Sequence, residues 1–211
     1  MLINEIGTTQ KVNPILTEFE RTDSSALLIR RLKAHHRETY LHSARVALYT
    51  LLLAEAMEYN QQELTVIYRS AWLHDIGKLN VPPEMLDDDS TQNSDASTID
   101  HCELGKQIVS QWGDHQWVDV DMILYHHENL DGTGHYGLNW RQLSLPTRLI
   151  RVTDSYDKMR NANGALNSHT MEYVFEELFR WSDVMYDLCL VERFQQIIKS
   201  LRTSLLLPYS K

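Results

Sequence analysis

Trp72-Leu73-His74-Asp75-Ile76-Gly77-Lys78 closes a run of helical periodicity that begins near Gln61. An apolar helix that ends on two adjacent metal-competent side chains is delivering them to something. Asp75 is an anion at a helix C-terminus, the unfavourable end of the macrodipole, so a cation is needed beside it. Gly77 reads as the stop, and Val81-Pro82-Pro83 predicts an extended exit.

Working outward, helical spacing dominates and strand alternation is scarce. Leu41, Ala44, Leu48, Leu52 and Glu55 predict one helix over about 34 to 58, followed by the helix over about 61 to 75. Residues 87–97 are rich in Asp, Ser, Asn and Thr and read as a mobile surface loop, with Ser97 or Thr98 capping a helix to about 112. A further helix over about 116 to 125 ends on His126-His127, and an irregular stretch with Gly132, Gly134 and Gly137 follows. Pro146 suits the first turn of a helix that carries Asp154 and ends at 161–164.

From about 170 the pattern is two amphipathic helices, with Val174, Leu178, Trp181, Leu188, Val191, Phe194, Ile197, Ile198 and Leu201 expected in the core. The apolar tail Leu205-Leu206-Leu207-Pro208-Tyr209 is expected to pack on its own domain. The expected architecture is an all-α, single-domain helical bundle. Residues 1–33 are expected as a partly helical N-terminal extension, 34–203 as the functional domain and 204–211 as a C-terminal tail.

Composition narrows the class. The 211 residues are 43% hydrophobic and 23% charged, with a formal charge of −9. That acidity argues against broad nucleic-acid binding, which needs clustered Lys and Arg. It leaves a small phosphate substrate open, because bound divalent ions reverse the local field. No apolar run approaches the roughly 20 residues that span a bilayer, and no secretory signal is visible. Cys102 and Cys189, far apart, read as buried or free thiols of a reducing cytoplasm. Sensory domains find no room in a chain of this length, so regulation is expected from a homodimer, a protein partner, or metal and redox state.

Candidate ligands recur along the chain. Of ten histidines, five (His42, His74, His101, His126 and His127) lie at helix ends or on core-facing positions. His35, His36, His115, His135 and His169 have polar or loop settings. Imidazole with carboxylate suits Fe, Mn, Zn or Ni, and a carboxylate can bridge two ions.

These residues carry a resemblance. His42-Ser43-Ala44-Arg45-Val46, then Leu73-His74-Asp75-Ile76-Gly77-Lys78 with Val81-Pro82 and Leu86, resemble the HD-superfamily phosphohydrolases. His101 with Gly105, His126-His127-Glu128 with Asp131-Gly132 and Gly134, and the stretch from Leu145 to Asp157 narrow this to the HD-GYP family. Tyr186-Asp187 resembles that family's later Phe-Asp.

The resemblance implies a helical bundle of the HD type and a phosphodiesterase that hydrolyses a cyclic dinucleotide, c-di-GMP first, by attack of a metal-bridging hydroxide. It implies His42, His74, Asp75, His101, His126, His127 and Asp154 as ligands of two divalent ions. Fe or Mn is favoured, with Zn or Ni as alternatives, and Asp75 bridges. Glu38 either completes a third metal site or is a solvated helix charge. Lys78 either holds a phosphate oxygen or is a helix-end cation.

Two departures bear on substrate. The family's Gly-Tyr-Pro is Gly134-His135-Tyr136 here. After Asp157 the family's substrate-holding arginine and tyrosine fall at Asn163 and Ala165, with Lys158 and Arg160 as nearby substitute cations. Ligands are thus kept while accessories change. Two further readings therefore stay open: a phosphohydrolase acting on another nucleotide or phosphomonoester, and a catalytically silent metal-bound regulatory or binding domain.

Overall fold

A computed structural model describes residues 15, 24–86, 95–112, 115–161 and 169–206. Among these the chain is helical, with two isolated β-bridges, Asp131 to Asn139 and Ser182 to Tyr186, and no strand. The helices are α1 (Ser24–His35), α2 (Arg37–Ala56), α3 (Gln61–Leu73), α4 (Pro83–Leu86), α5 (Asp95–Gln111), α6 (Val120–Tyr125), α7 (Leu145–Arg160), α8 (Met171–Arg180) and α9 (Leu188–Leu206). Short 3-10 turns lie at Ile76–Asn80 and His115–Trp117. No helix among the described residues is long and apolar enough to cross a membrane.

Local signals explain most boundaries. Asn60 and Glu63 form a reciprocal capping box at the start of α3, and Ser144 caps α7 ahead of Pro146. The expected helix over 34 to 58 is instead broken at His36. The His36 backbone is extended, and its ring nitrogen accepts from Thr39 N at 3.2 Å, so an imidazole does the work usually left to Ser or Asp. The helix expected from 116 starts later for the same kind of reason, because the Asp119 carboxylate caps α6. Ser97 and Thr98 do not cap α5, which already runs from Asp95. Residues 87–94, with Asn163 and Ala165, lie outside the described residues, as do the side chains of the Leu205–Tyr209 tail.

The core gathers around α2, which packs on α3, α7 and α9. Leu51, Leu53, Leu64, Ile123, Leu149, Phe175 and Phe194 are fully buried, each contributing about 1.5–3 kcal/mol by leaving water. Leu28, Ile29 and Leu32 of α1 and Ile15 join the same core. Tyr49, Tyr156, Phe175 and Phe194 form a cluster with ring centroids 5.0 to 5.9 Å apart. At the α2–α7 contact the buried Thr50 and Thr153 hydroxyls meet at 2.7 Å, which fixes the register of the two helices that carry His42 and Asp154.

Two expected core residues are not in the core. Trp181 is 46% and Leu188 37% exposed, because α8 and α9 bury a narrower stripe through Val174, Leu178, Val191, Phe194 and Ile198.

Gly77 proves to be more than a stop signal. A Cβ there would lie 1.9 Å from the His101 carbonyl oxygen and 2.7 Å from Gly105 N. The glycine lets α5 lie directly on the turn after His74-Asp75, and so it sets the distance from Asp75 to His101.

Candidate metal centre

α3 ends at Leu73, His74 stays in helical conformation as its C-cap, and Asp75 opens the 3-10 turn. Both side chains are fully buried. The two oxygens of Asp75 face different histidines. Oδ2 lies 3.4 Å from His74 Nε2 and 3.7 Å from His42 Nε2. Oδ1 lies 3.3 Å from His101 Nε2 and 3.9 Å from His126 Nε2. Asp154 Oδ1 closes the first group, 3.0 Å from His42 Nε2 and 3.7 Å from His74 Nε2.

His42, His74 and Asp75 offer one cluster of donor atoms and His101, Cys102, His126 and His127 another, each cluster spanning no more than 4.8 Å. The chain thus brings together seven of the ligand candidates read from its sequence. Glu38 is not brought in: it is 67% exposed beside Arg37.

The donors are oriented from behind. His74 Nδ1 donates to Ala71 O and His126 Nδ1 to Ile123 O, both at 2.8 Å, which turns each Nε2 inward. His42 Nδ1 donates to Asp157 Oδ2 at 2.8 Å. Asp157 is clamped in turn by Arg45 at 2.7 and 2.9 Å and by Asn161 at 3.0 Å. In the sequence Asp157 and Arg45 stand only as motif residues. Their spacing, one turn beyond a ligand on each of two helices, was the available signal.

Glu128 likewise stands in the sequence only as a motif residue. Buried, it accepts from Tyr136 N and Leu138 N, both at 2.9 Å, and so organises the irregular loop. Gly134 must be small there, because a Cβ would sit 2.5 Å from Glu128 Oε1. Gly132 and Gly137 take positive φ of 87° and 69°. Tyr136 donates from its hydroxyl to Glu103 at 2.9 Å and packs edge-on against Tyr125, tying the loop to α5.

The charges fit cation binding. Burial opposes ionisation of Asp75, but Lys78, His74, His101 and Lys158 hold its carboxyl well below the usual range. Burial opposes Asp154 too, and Lys158 with His42 and His74 outweighs it. Lys78 donates to Asp75 Oδ2 at 2.7 Å and Lys158 to Asp154 Oδ2 at 2.8 Å. The Lys158 stem lies at the mouth, its side chain 40% exposed, and the two aspartates raise its ammonium against the effect of burial. Burial lowers His42, but the Asp154 and Asp157 carboxylates beside it raise it overall. Burial and neighbouring imidazoles push His126 well down, and burial with His126 and Lys158 does so for His127. Both therefore present neutral rings, the form that binds metal.

Among the buried side-chain atoms of the described residues that make no hydrogen bond are His42 Nε2, His74 Nε2, His126 Nε2, Asp75 Oδ1 and Asp154 Oδ1. These five point into one centre. Leaving polar atoms so is costly unless a cation satisfies them, and the donor set fits divalent ions.

Other sequence candidates have different partners. Arg160 donates to the His169 carbonyl. His35 bonds Val81 O at 2.8 Å, and His135 is exposed. Tyr186 is buried under Arg151, and Asp187 accepts from Arg148 at 2.8 Å.

Comparison with known proteins agrees with this geometry. A cyclic di-GMP phosphodiesterase of Thermotoga maritima is 29% identical over 191 residues, covering 88% of this chain and 52% of that protein. A 3'3'-cGAMP-specific phosphodiesterase of Vibrio cholerae is 35% identical over 121 residues, 56% of this chain and 26% of that protein. The chain spans about half the length, or less, of these curated relatives. An HDG"Y"P protein of Bdellovibrio bacteriovorus shares the fold, with a TM-score of 0.62 at 17% identity over 94% of this chain and 60% of that one. The HD domain matches residues 39–159, more than half the sequence, and the chain belongs to the HD-domain family.

Proposed function

We propose that this chain is a metal-dependent phosphodiesterase that hydrolyses a cyclic dinucleotide, with c-di-GMP as the first candidate. One observation carries the reading: the two oxygens of the buried Asp75 are shared between two separate histidine groups. His42, His74, Asp75 and Asp154 would hold one divalent ion, and Asp75, His101, His126 and His127 the other. Iron or manganese is the first choice, zinc or nickel the alternative, and such a pair lowers the pKa of a water and neutralises charge at phosphorus.

The remaining roles fall to the chain's own side chains. Lys158 holds the outer oxygen of Asp154, leaving its Oδ1 aimed inward, and Lys78 steadies Asp75 Oδ2 on the side of His74 and His42. Without ions, two carboxylates and two ammonium groups balance; with two divalent ions the centre is strongly positive and matches a phosphodiester. Lys158, at the mouth, is placed to reach a non-bridging phosphate oxygen, with Lys78 beside the opposite carboxylate. Asp157 and Arg45 keep the His42 ring in register. Since Glu38 is exposed beside Arg37, two ions are proposed rather than three.

A second candidate substrate is 3'3'-cGAMP, because three relatives are named for that dinucleotide and the loop at Gly134-His135-Tyr136 differs from the Gly-Tyr-Pro form. The test is hydrolysis by anaerobically purified protein with quantified metal, given c-di-GMP, 3'3'-cGAMP and a panel of mononucleotides with Fe²⁺ or Mn²⁺. Turnover of a cyclic dinucleotide to a linear product, abolished by Asp75→Asn, is expected. Turnover of mononucleotides alone would move the protein to a different phosphohydrolase class. Two bound ions without any turnover would leave a silent binding domain.

A further inference from the structure

The second histidine group contains a donor that the ligand set above does not use. Cys102 is buried, its Sγ 3.6 Å from His101 Nε2 and 3.9 Å from His126 Nδ1. His101, Cys102, His126 and His127 each offer one atom, and these four atoms lie within 4.8 Å of one another. Metal–sulfur and metal–nitrogen bonds of about 2.3 and 2.1 Å place neighbouring donors of one ion about 3–3.6 Å apart. The Cys102–His101 separation matches that spacing. His126 belongs to the same group, and its fully buried Nε2 has no hydrogen bond.

We infer that Cys102 is a thiolate ligand of the ion held by His101, His126 and His127. This rests on the metal centre proposed above and deepens it. Ligation forms a metal–sulfur bond and releases the thiol proton to solvent, with no change of oxidation state. The two halves then differ in kind. His42, His74 and Asp154 make a nitrogen–oxygen site, whereas the second half adds sulfur and favours softer ions such as Fe²⁺ or Zn²⁺ over Mn²⁺.

Cobalt(II) provides the test, because thiolate ligation gives it an intense near-ultraviolet charge-transfer band that nitrogen and oxygen donors do not. The full chain is loaded anaerobically with Co²⁺ and bound cobalt is counted. The band is expected in the wild-type protein and in Cys189→Ser, which removes the exposed second cysteine. It is expected to vanish in Cys102→Ser, with at least about a tenfold loss of affinity for one of two cobalt ions.

Two bound cobalt ions without the band overturn the inference, as does a band that persists in Cys102→Ser. Should Cys102→Ser not fold, the wild-type and Cys189→Ser spectra still decide, since the chain has two cysteines. Cobalt bound with the band but no hydrolysis leaves Cys102 a ligand and defeats only the substrate reading. A protein that binds no cobalt defeats both.

Discussion

His42 and Asp154 sit on the long helices α2 and α7, whereas His101, His126 and His127 come from α5 and from the end of the six-residue α6. The first half is ionic. Asp157, Arg45 and Lys158 surround it, and His42 is raised above the ordinary imidazole value. The second half is neutral. His126 and His127 are pushed down by burial, and His126 is oriented by a main-chain carbonyl. Asp75 belongs to both. The contrast teaches that one half is held by charge and the other by close packing, so different perturbations should separate them.

Packing is the larger lever. Gly77→Ala places a methyl where the His101 carbonyl lies 1.9 Å away. It is expected to destabilise the fold by about 3 kcal/mol and to weaken the second ion while sparing the first. Urea unfolding and metal counting check it, and equal loss of both ions would erase the distinction between the halves.

The neutral half should also control acid sensitivity. Without metal, His126 and His127 stay unprotonated in the native state, while the unfolded chain takes up protons near the ordinary value of 6.5. Stability is therefore present above pH 6.5 and falls as pH drops, by about 1.4 kcal/mol per pH unit for each group. His42 acts in another window: raised when folded, it stabilises fully below 6.5 and loses that contribution as pH rises through its native value. Unfolding midpoints of the metal-free protein from pH 5 to 8 should show the fall on the acid side.

The ionic half answers to its outer partners. Asp157→Asn weakens the clamp between Arg45 and His42 and should cost about 10–100-fold in affinity for the first ion, with the second unchanged by titration. Lys158→Met is the mildest case. It should raise KM for the dinucleotide by about tenfold while leaving bound metal at two per chain, and Lys158→Arg should restore most of it.

Much of this was readable in the chain because helix ends carry strong signals. Seven ligand candidates stand at helix termini or on helix faces, and the capping residues Asn60 and Ser144 mark their elements plainly. What escaped depends on three-dimensional context. His36 as a cap looks like any polar residue, and it divides what periodicity alone joins into one helix. Glu38 lies one turn from His42, yet the break at His36 leaves it in the exposed first turn of α2 beside Arg37. Gly77 reads as a helix stop because its true constraint, the carbonyl of His101, lies on another helix. Cys102 reads as a packed thiol until His126 and His127 arrive from elsewhere in the chain.

The central claim is that Asp75 joins the two halves by giving one oxygen to each. The most direct measurement is electron paramagnetic resonance of the protein loaded with Mn²⁺ to a counted stoichiometry. Two ions per chain with exchange-coupled spectra, reduced to uncoupled or single-ion spectra in Asp75→Asn, is the expected result. A single ion per chain, or two ions that remain magnetically independent in the wild-type protein, would contradict it.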